Sequence, residues 1–232
     1  MGCLIAIETL DHRQQFPAYC AEPAGPARAA IIVIQEIFGV NAGIRSKCDR
    51  WAEAGYLAVA PDLFWRFRPG IELDPDVPEQ FEEGLNLYQR FDQDQGVVDI
   101  DATIRATRAR SKGIRVGCVG YCLGGRLAFM TAARTDVDAS VGYYGVGIDG
   151  LLGEKEAITH PVLLHVPTDD QFVNDDTQKA MHRGLDGNPL VTIYDYPGLH
   201  HGFAVASGKR RNERAAQLAD DRTAAFFAAN LG

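Results

Sequence analysis

A chain of 232 residues is long enough for one large domain or two small ones, and 46% hydrophobic with 23% charged residues is an ordinary globular balance. This excludes a disordered tail, a collagen-like fibre and a disulfide-dense mini-protein. The formal charge of −8 and pI near 5.2 argue against nucleic acid as a partner, because phosphate binding needs basic patches and only Lys209-Arg210-Arg211 stands out.

The longest apolar run, Ala29 to Ile34, falls far short of the roughly 20 residues that span a bilayer, so no membrane contact is expected. The N-terminal residues lack a basic region and meet Glu8 early, unlike a signal peptide. Position 6 is Ala6, where a myristoylation signal has Ser or Thr. Five cysteines, an odd number without a Cys-x-x-Cys pair or a His at ligand spacing, predict reduced thiols in the cytoplasm and no structural metal.

In chain order, Leu4–Thr9 and Gln15–Cys20 read as two short strands joined at Asp11-His12. Ala29–Ile34 is a β-branched run of the kind buried on both faces of a parallel sheet. Ile44–Ala54 is helical and stops at Gly55; Leu57–Ala60 is a strand stopped by Pro61. An aromatic and proline-rich loop follows from Asp62 to Pro78. Helices are predicted at Glu79–Phe91 and Val97–Arg110, a strand at Ile114–Val119 and a helix at Cys122–Arg134. Strands at Ala139–Tyr144 and Pro161–Val166 flank a shorter helical segment near Ile148–Ala157. Helix Thr177–Leu185, strand Val191–Tyr196 and helix Glu213–Ala229 close the chain. Alternating strands and helices without a linker predict one doubly wound α/β domain over 1–232, its sheet mostly parallel with helices on both faces.

Gly120-Tyr121-Cys122-Leu123-Gly124-Gly125 stands between a strand and a helix, as a Gly-x-nucleophile-x-Gly turn with Cys where Ser is usual. The small residues leave room for a strained backbone at the nucleophile, and the helix N-terminus favours thiolate. A base and an orienting acid are then needed at the ends of later strands. Val162–Val166 runs into Pro167-Thr168-Asp169-Asp170, and Val191–Tyr196 into Pro197-Gly198-Leu199-His200-His201-Gly202. Local reasoning leaves Asp169 or Asp170, and His200 or His201, open. His165 lies inside a strand and reads as a satisfied core residue, while His12, His160 and His182 fall in turns or on a helix face.

With these residues in view, the sequence resembles the dienelactone hydrolase (carboxymethylenebutenolidase) family of α/β-hydrolases. The likeness is carried by Gln35-Glu-Ile-Phe-Gly-Val-Asn41, Ala60-Pro-Asp-Leu63, the Gly120–Gly125 turn, Val141–Gly147 and His201-Gly-Phe-Ala204. It implies a Cys122, His201 and Asp170 triad, since the family's acid precedes an x-Phe-Val and its His a small residue, Phe and Ala. It also implies that Glu36 contacts the resting thiol and keeps it protonated, and that an oxyanion hole forms from the N–H groups of Leu123 and Ile37. The reaction expected is ester or lactone hydrolysis through a thioester, on a small-molecule substrate. No cofactor is implied, because Glu36-Ile-Phe-Gly stands where a phosphate-cradling loop would follow the first buried strand.

The chain departs from the family at the carboxylate clamp: Phe81 and Val205 occupy the positions of two arginines, and Leu85 that of a pocket aromatic. A less anionic substrate is expected, in a pocket lined by some of Phe38, Trp65, Phe81, Tyr88, Tyr143, Phe172 and Phe203. Arg66, Arg68, Arg210 and Arg211 are the candidates for a relocated clamp. The competing readings are a catalytically silent fold that carries or senses a small molecule and a redox protein using Cys122. An intact triad speaks against the first, and the lack of a resolving cysteine against the second.

Overall fold

The computed structural model describes residues 2–232; Met1, where the N-terminal reading begins, lies outside them. The chain divides into two compact units, residues 1–117 and 118–232.

In the first unit, β1 (Cys3–Glu8) and β2 (Gln15–Ala21) form an antiparallel hairpin in the register Cys3 opposite Cys20. β2 pairs antiparallel with β4 (Leu57–Pro61), which pairs parallel with β3 (Ala30–Ile34), giving the order β1-β2-β4-β3. Every residue of β3 and β4 is buried, which is why both read as unbroken apolar runs. Helix α1 (Ala42–Glu53) starts where the Asn41 side chain accepts the Ile44 N–H.

Two further helices begin earlier than their apolar periodicity announces. α2 (Pro78–Arg90) opens on Pro78, whose fixed φ suits a first helical position and whose missing N–H costs nothing there. α3 (Gln93–Arg110) starts four residues before Val97, because Asp92 accepts the Gln95 N–H and caps it. The loop after β4 is pinned by buried Asp62, whose two oxygens accept the N–H groups of Phe64 at 3.0 Å and Gly70 at 2.7 Å.

β5 (Val116–Tyr121) carries the chain into the second unit. It starts later than Ile114, whose N–H closes a turn onto Ser111. There the strand order is β5-β6-β7-β8, with β6 (Ala139–Tyr143), β7 (Val162–Pro167) and β8 (Val191–Tyr196) parallel. β5, β6 and β7 are wholly buried, whereas β8 carries half-buried and exposed residues as an edge strand does and ends on buried Tyr196. Helix α4 (Leu123–Arg134) follows β5, a 3-10 segment spans Ile148–Ala157, and α5 (Asp175–Leu185) and α6 (Glu213–Leu231) are capped by Asn174 and Asn212. Among the described residues no helix is long and apolar enough to cross a membrane.

Candidate active site

Cys122 sits at the junction of β5 and α4 with φ 55° and ψ −114°, a left-handed conformation that costs a non-glycine residue about 1–3 kcal/mol. The surrounding backbone holds it there. The Cys122 N–H donates to the Tyr143 carbonyl at 3.0 Å, while its own carbonyl accepts from Gly125 and Arg126 to start the helix. A β-carbon on Gly120 would overlap the Gly124 carbonyl, and one on Gly125 the Tyr143 carbonyl oxygen, so the turn closes only with glycine at both positions. Leu123 is the first residue of α4, and first-turn N–H groups have no acceptor within a helix.

The acid and the histidine come from the loops after β7 and β8. His201 Nδ1 donates to Asp170 Oδ2 at 2.8 Å, and Asp170 Oδ1 accepts the Phe172 N–H at 2.8 Å, so both carboxylate oxygens are engaged. The pair is removed from water, at 2% side-chain exposure for His201 and 0% for Asp170. Burial is the largest influence on His201 and pushes it down. The charge of Cys122 and the Asp170 hydrogen bond outweigh burial, and the imidazole is pushed up to about 10. The neighbouring doublet members are exposed instead, with His200 Nδ1 bonded to the Asp169 carbonyl oxygen at 2.9 Å.

Cys122 is half-buried, and the remaining buried thiols sit in environments that hold them protonated. Burial pushes Cys20 up to about 11 and Cys118 up to about 12, and it raises Cys48 as well.

The aromatic expectations divide. Phe172 is 46% exposed and packs edge-on against the His201 ring at 4.8 Å. Phe203 is buried against Tyr196 at 4.7 Å and Tyr144 at 5.8 Å. Tyr143 does not line an opening: it is fully buried, with its hydroxyl 2.6 Å from Thr223 and 3.2 Å from Asp220 on α6. The aromatic beside His201 is the next residue, Tyr144, with ring centroids 5.0 Å apart. Adjacent residues leaving a strand point to opposite sides, so choosing the wrong member of Tyr143-Tyr144 reverses the assignment.

In the first unit, half-buried Trp65 stacks on Phe16 at 5.6 Å and donates to Asp99 at 3.0 Å. Phe38 is buried and packs against Phe81 at 5.7 Å; Tyr88 is half-buried on α2. Glu36 and Ile37 are buried just after β3, and the Gln35 amide donates to the Glu36 carbonyl oxygen at 3.3 Å.

Of the four arginines, Arg66 forms a bidentate pair with Asp99 and Arg68 a 3.8 Å surface pair with Glu83. Arg211 is committed to Glu213 and the Val205 carbonyl, each at 2.7 Å. Arg210 lies against Gly202, beside His201, where a β-carbon would come within 2.9 Å of its Nη1.

Known proteins resemble this chain over nearly its whole length. A family model described as the dienelactone hydrolase family matches residues 16–231. The carboxymethylenebutenolidase of Pseudomonas putida is 41% identical over 226 residues, covering 97% of this chain and 95% of that protein. A relative from Azospirillum brasilense is 46% identical over 220 residues, 94% of each chain. A solved structure from Klebsiella pneumoniae subsp. pneumoniae matches 97% of this chain and 99% of its own, with a TM-score of 0.82 and 31% identity. On these grounds the chain is a hydrolase with the α/β-hydrolase fold and belongs to the dienelactone hydrolase family.

Proposed function

We propose that the chain is a single α/β-hydrolase domain that hydrolyses carboxylic esters or lactones with Cys122 as nucleophile, His201 as base and Asp170 as its orienting acid. The observation that carries this reading is the buried His201–Asp170 hydrogen bond, formed in the same unit as a strained cysteine at a strand–helix turn. Asp170 fixes the tautomer: with Nδ1–H donated to the carboxylate, Nε2 is left to take the Cys122 proton. The thiolate attacks the carbonyl carbon, and the Leu123 N–H at the start of α4 is a donor for the oxyanion. Collapse breaks the C–O bond, the leaving oxygen takes the proton from His201, and a thioester remains. Water, deprotonated by His201, then cleaves the thioester and returns the proton to sulfur.

Thiolate is itself a good leaving group, so a tetrahedral adduct of an amide expels sulfur rather than amine. Enol esters, lactones and activated esters should therefore be turned over and amides should not. Phe81 and Val205 supply no donors for a carboxylate, which favours a substrate less anionic than a dienelactone. Five free cysteines fit a reducing compartment, and we place the enzyme in the cytoplasm.

The test is hydrolysis of p-nitrophenyl acetate and of a dienelactone by wild type and Cys122→Ala. Turnover lost in the variant, with the neutral ester preferred, supports the reading. Efficient dienelactone turnover would overturn the substrate preference, and turnover retained in the variant would overturn the nucleophile.

A further inference from the structure

His165, in the middle of the fully buried β7, takes no part in the chemistry proposed above, yet all its polar atoms are used. Its Nδ1 lies 2.7 Å from the Tyr196 hydroxyl and its Nε2 2.9 Å from Thr223 Oγ1. Thr223 in turn is 2.6 Å from the Tyr143 hydroxyl, which is 3.2 Å from Asp220 Oδ1. The chain of bonds runs from Tyr196 through His165, Thr223 and Tyr143 to Asp220.

Donor and acceptor counting gives this chain one direction. An ionised carboxylate only accepts, so Tyr143 donates to Asp220. Thr223 then donates its single hydrogen to Tyr143, and His165 must donate Nε2–H to Thr223. That leaves Nδ1 as an acceptor for the Tyr196 hydroxyl. Reversing any link would require Asp220 to donate. The electrostatics agree: burial, then the Arg222 charge, push His165 down to about 3, and burial raises both Tyr143 and Tyr196, so imidazole and phenols are all neutral.

The relay links three strands whose continuations build the site, through the last residues of β6 and β8 and the middle of β7. β6 leads into Tyr144, which packs on His201 and whose N–H donates to the His165 carbonyl at 2.9 Å. β7 leads to Asp170, and β8 ends on Tyr196, whose ring packs at a tilt of 34° against Phe203, two residues past His201. The Thr168 N–H further ties the β7 loop to the Tyr196 carbonyl at 3.1 Å.

From this connectivity we infer that His165 is a positioning residue: through the Tyr196–Thr223–Tyr143–Asp220 relay it sets the geometry of the Asp170–His201 pair. The inference rests on the triad proposed above and names what holds it in place.

Three variants test it. His165→Leu removes both bonds. His165→Gln offers one acceptor and one donor at similar separation and should restore the direction of the relay. Tyr196→Phe deletes a single donor while keeping the ring on Phe203, and serves if His165→Leu does not fold. For p-nitrophenyl acetate, kcat should fall roughly tenfold in His165→Leu and less in Tyr196→Phe, with KM nearly unchanged, and His165→Gln should recover most of the loss. The proton bridging His201 and Asp170, observed by NMR, should shift in step with kcat.

Folded variants with unchanged kcat and an unchanged bridging proton would overturn the inference, as would a loss that tracks melting temperature alone. The NMR signal does not require turnover. If Cys122→Ala still hydrolyses the ester, the triad reading fails while the bridging proton continues to report on the relay.

Discussion

The second unit contains two buried histidines in similar settings with opposite electrostatics. His165 and His201 are each more than nine-tenths buried, and each bonds through Nδ1 to a side-chain oxygen, at 2.7 Å and 2.8 Å. Burial is the largest influence on both and lowers both. Around His165 the partners are neutral hydroxyls and the charge that acts on it is the Arg222 cation, which pushes in the same direction as burial. Around His201 the partners are a carboxylate and a thiol that becomes an anion, and these reverse the outcome. Depth of burial sets the stakes, while the charge of the partner decides the sign.

The largest effects expected from breaking this contrast are catalytic. Cys122→Ala and His201→Ala should each lower kcat on p-nitrophenyl acetate by at least about a thousandfold, as in triads where the members act as one unit. Asp170→Asn should come close, at about a thousandfold, because an amide can present a donor to Nδ1 and favour the wrong tautomer. Steady-state kinetics on folded variants checks all three.

A smaller effect isolates the origin of the raised imidazole. In Cys122→Ala the second-largest influence on His201, the electrostatic effect of Cys122, is gone, so its ring titration by NMR should move down from about 10 toward the range set by burial and Asp170. A titration that stays in place would mean that Asp170 alone reverses the effect of burial.

The pH dependence of stability should show both histidines at once. The folded value of His165 is depressed to about 3, so its contribution is present above the unfolded value of 6.5 and is lost as pH falls through the window between 6.5 and 3. His201 is raised to about 10, so its contribution is full below 6.5 and is lost as pH climbs toward 10. Each contributes a slope of up to about 1.4 kcal/mol per pH unit inside its own window. Urea unfolding from pH 4 to 10 should therefore give a dome, and His165→Gln should flatten only its acid side.

The smallest change tests the frame around both residues. Asn212→Ala removes the acceptor for the Ala215 N–H and should cost about 1 kcal/mol of stability with kcat unaffected.

Much of this was legible before folding. Ala30–Ile34 and Leu57–Pro61 announce themselves because a strand buried on both faces has no polar positions. The glycines around Cys122 announce the turn because no other residue fits. The start of α3 was not legible from periodicity, since its first turn is set by the Asp92 cap rather than by an apolar face. Tyr143 and Tyr144 could not be told apart because alternation fixes that they diverge, while packing against α6 decides which goes where. The His165 relay was the least visible part. Its members are scattered from residue 143 to 223, and only the paired strands and α6 bring them together.

The turn at Cys122 separates the shape of the catalytic backbone from the identity of the attacking atom. Gly120, Gly125 and the Tyr143 carbonyl impose the left-handed conformation, and nothing in that restraint touches sulfur. Any L-residue placed there bears the same torsional strain and presents its first side-chain atom in the same direction. The scaffold thus behaves as a fixed holder with an exchangeable tip: a serine can stand in the same place without rebuilding the turn. The choice of thiol over hydroxyl is left to the chemistry of leaving groups rather than to the stability of the fold.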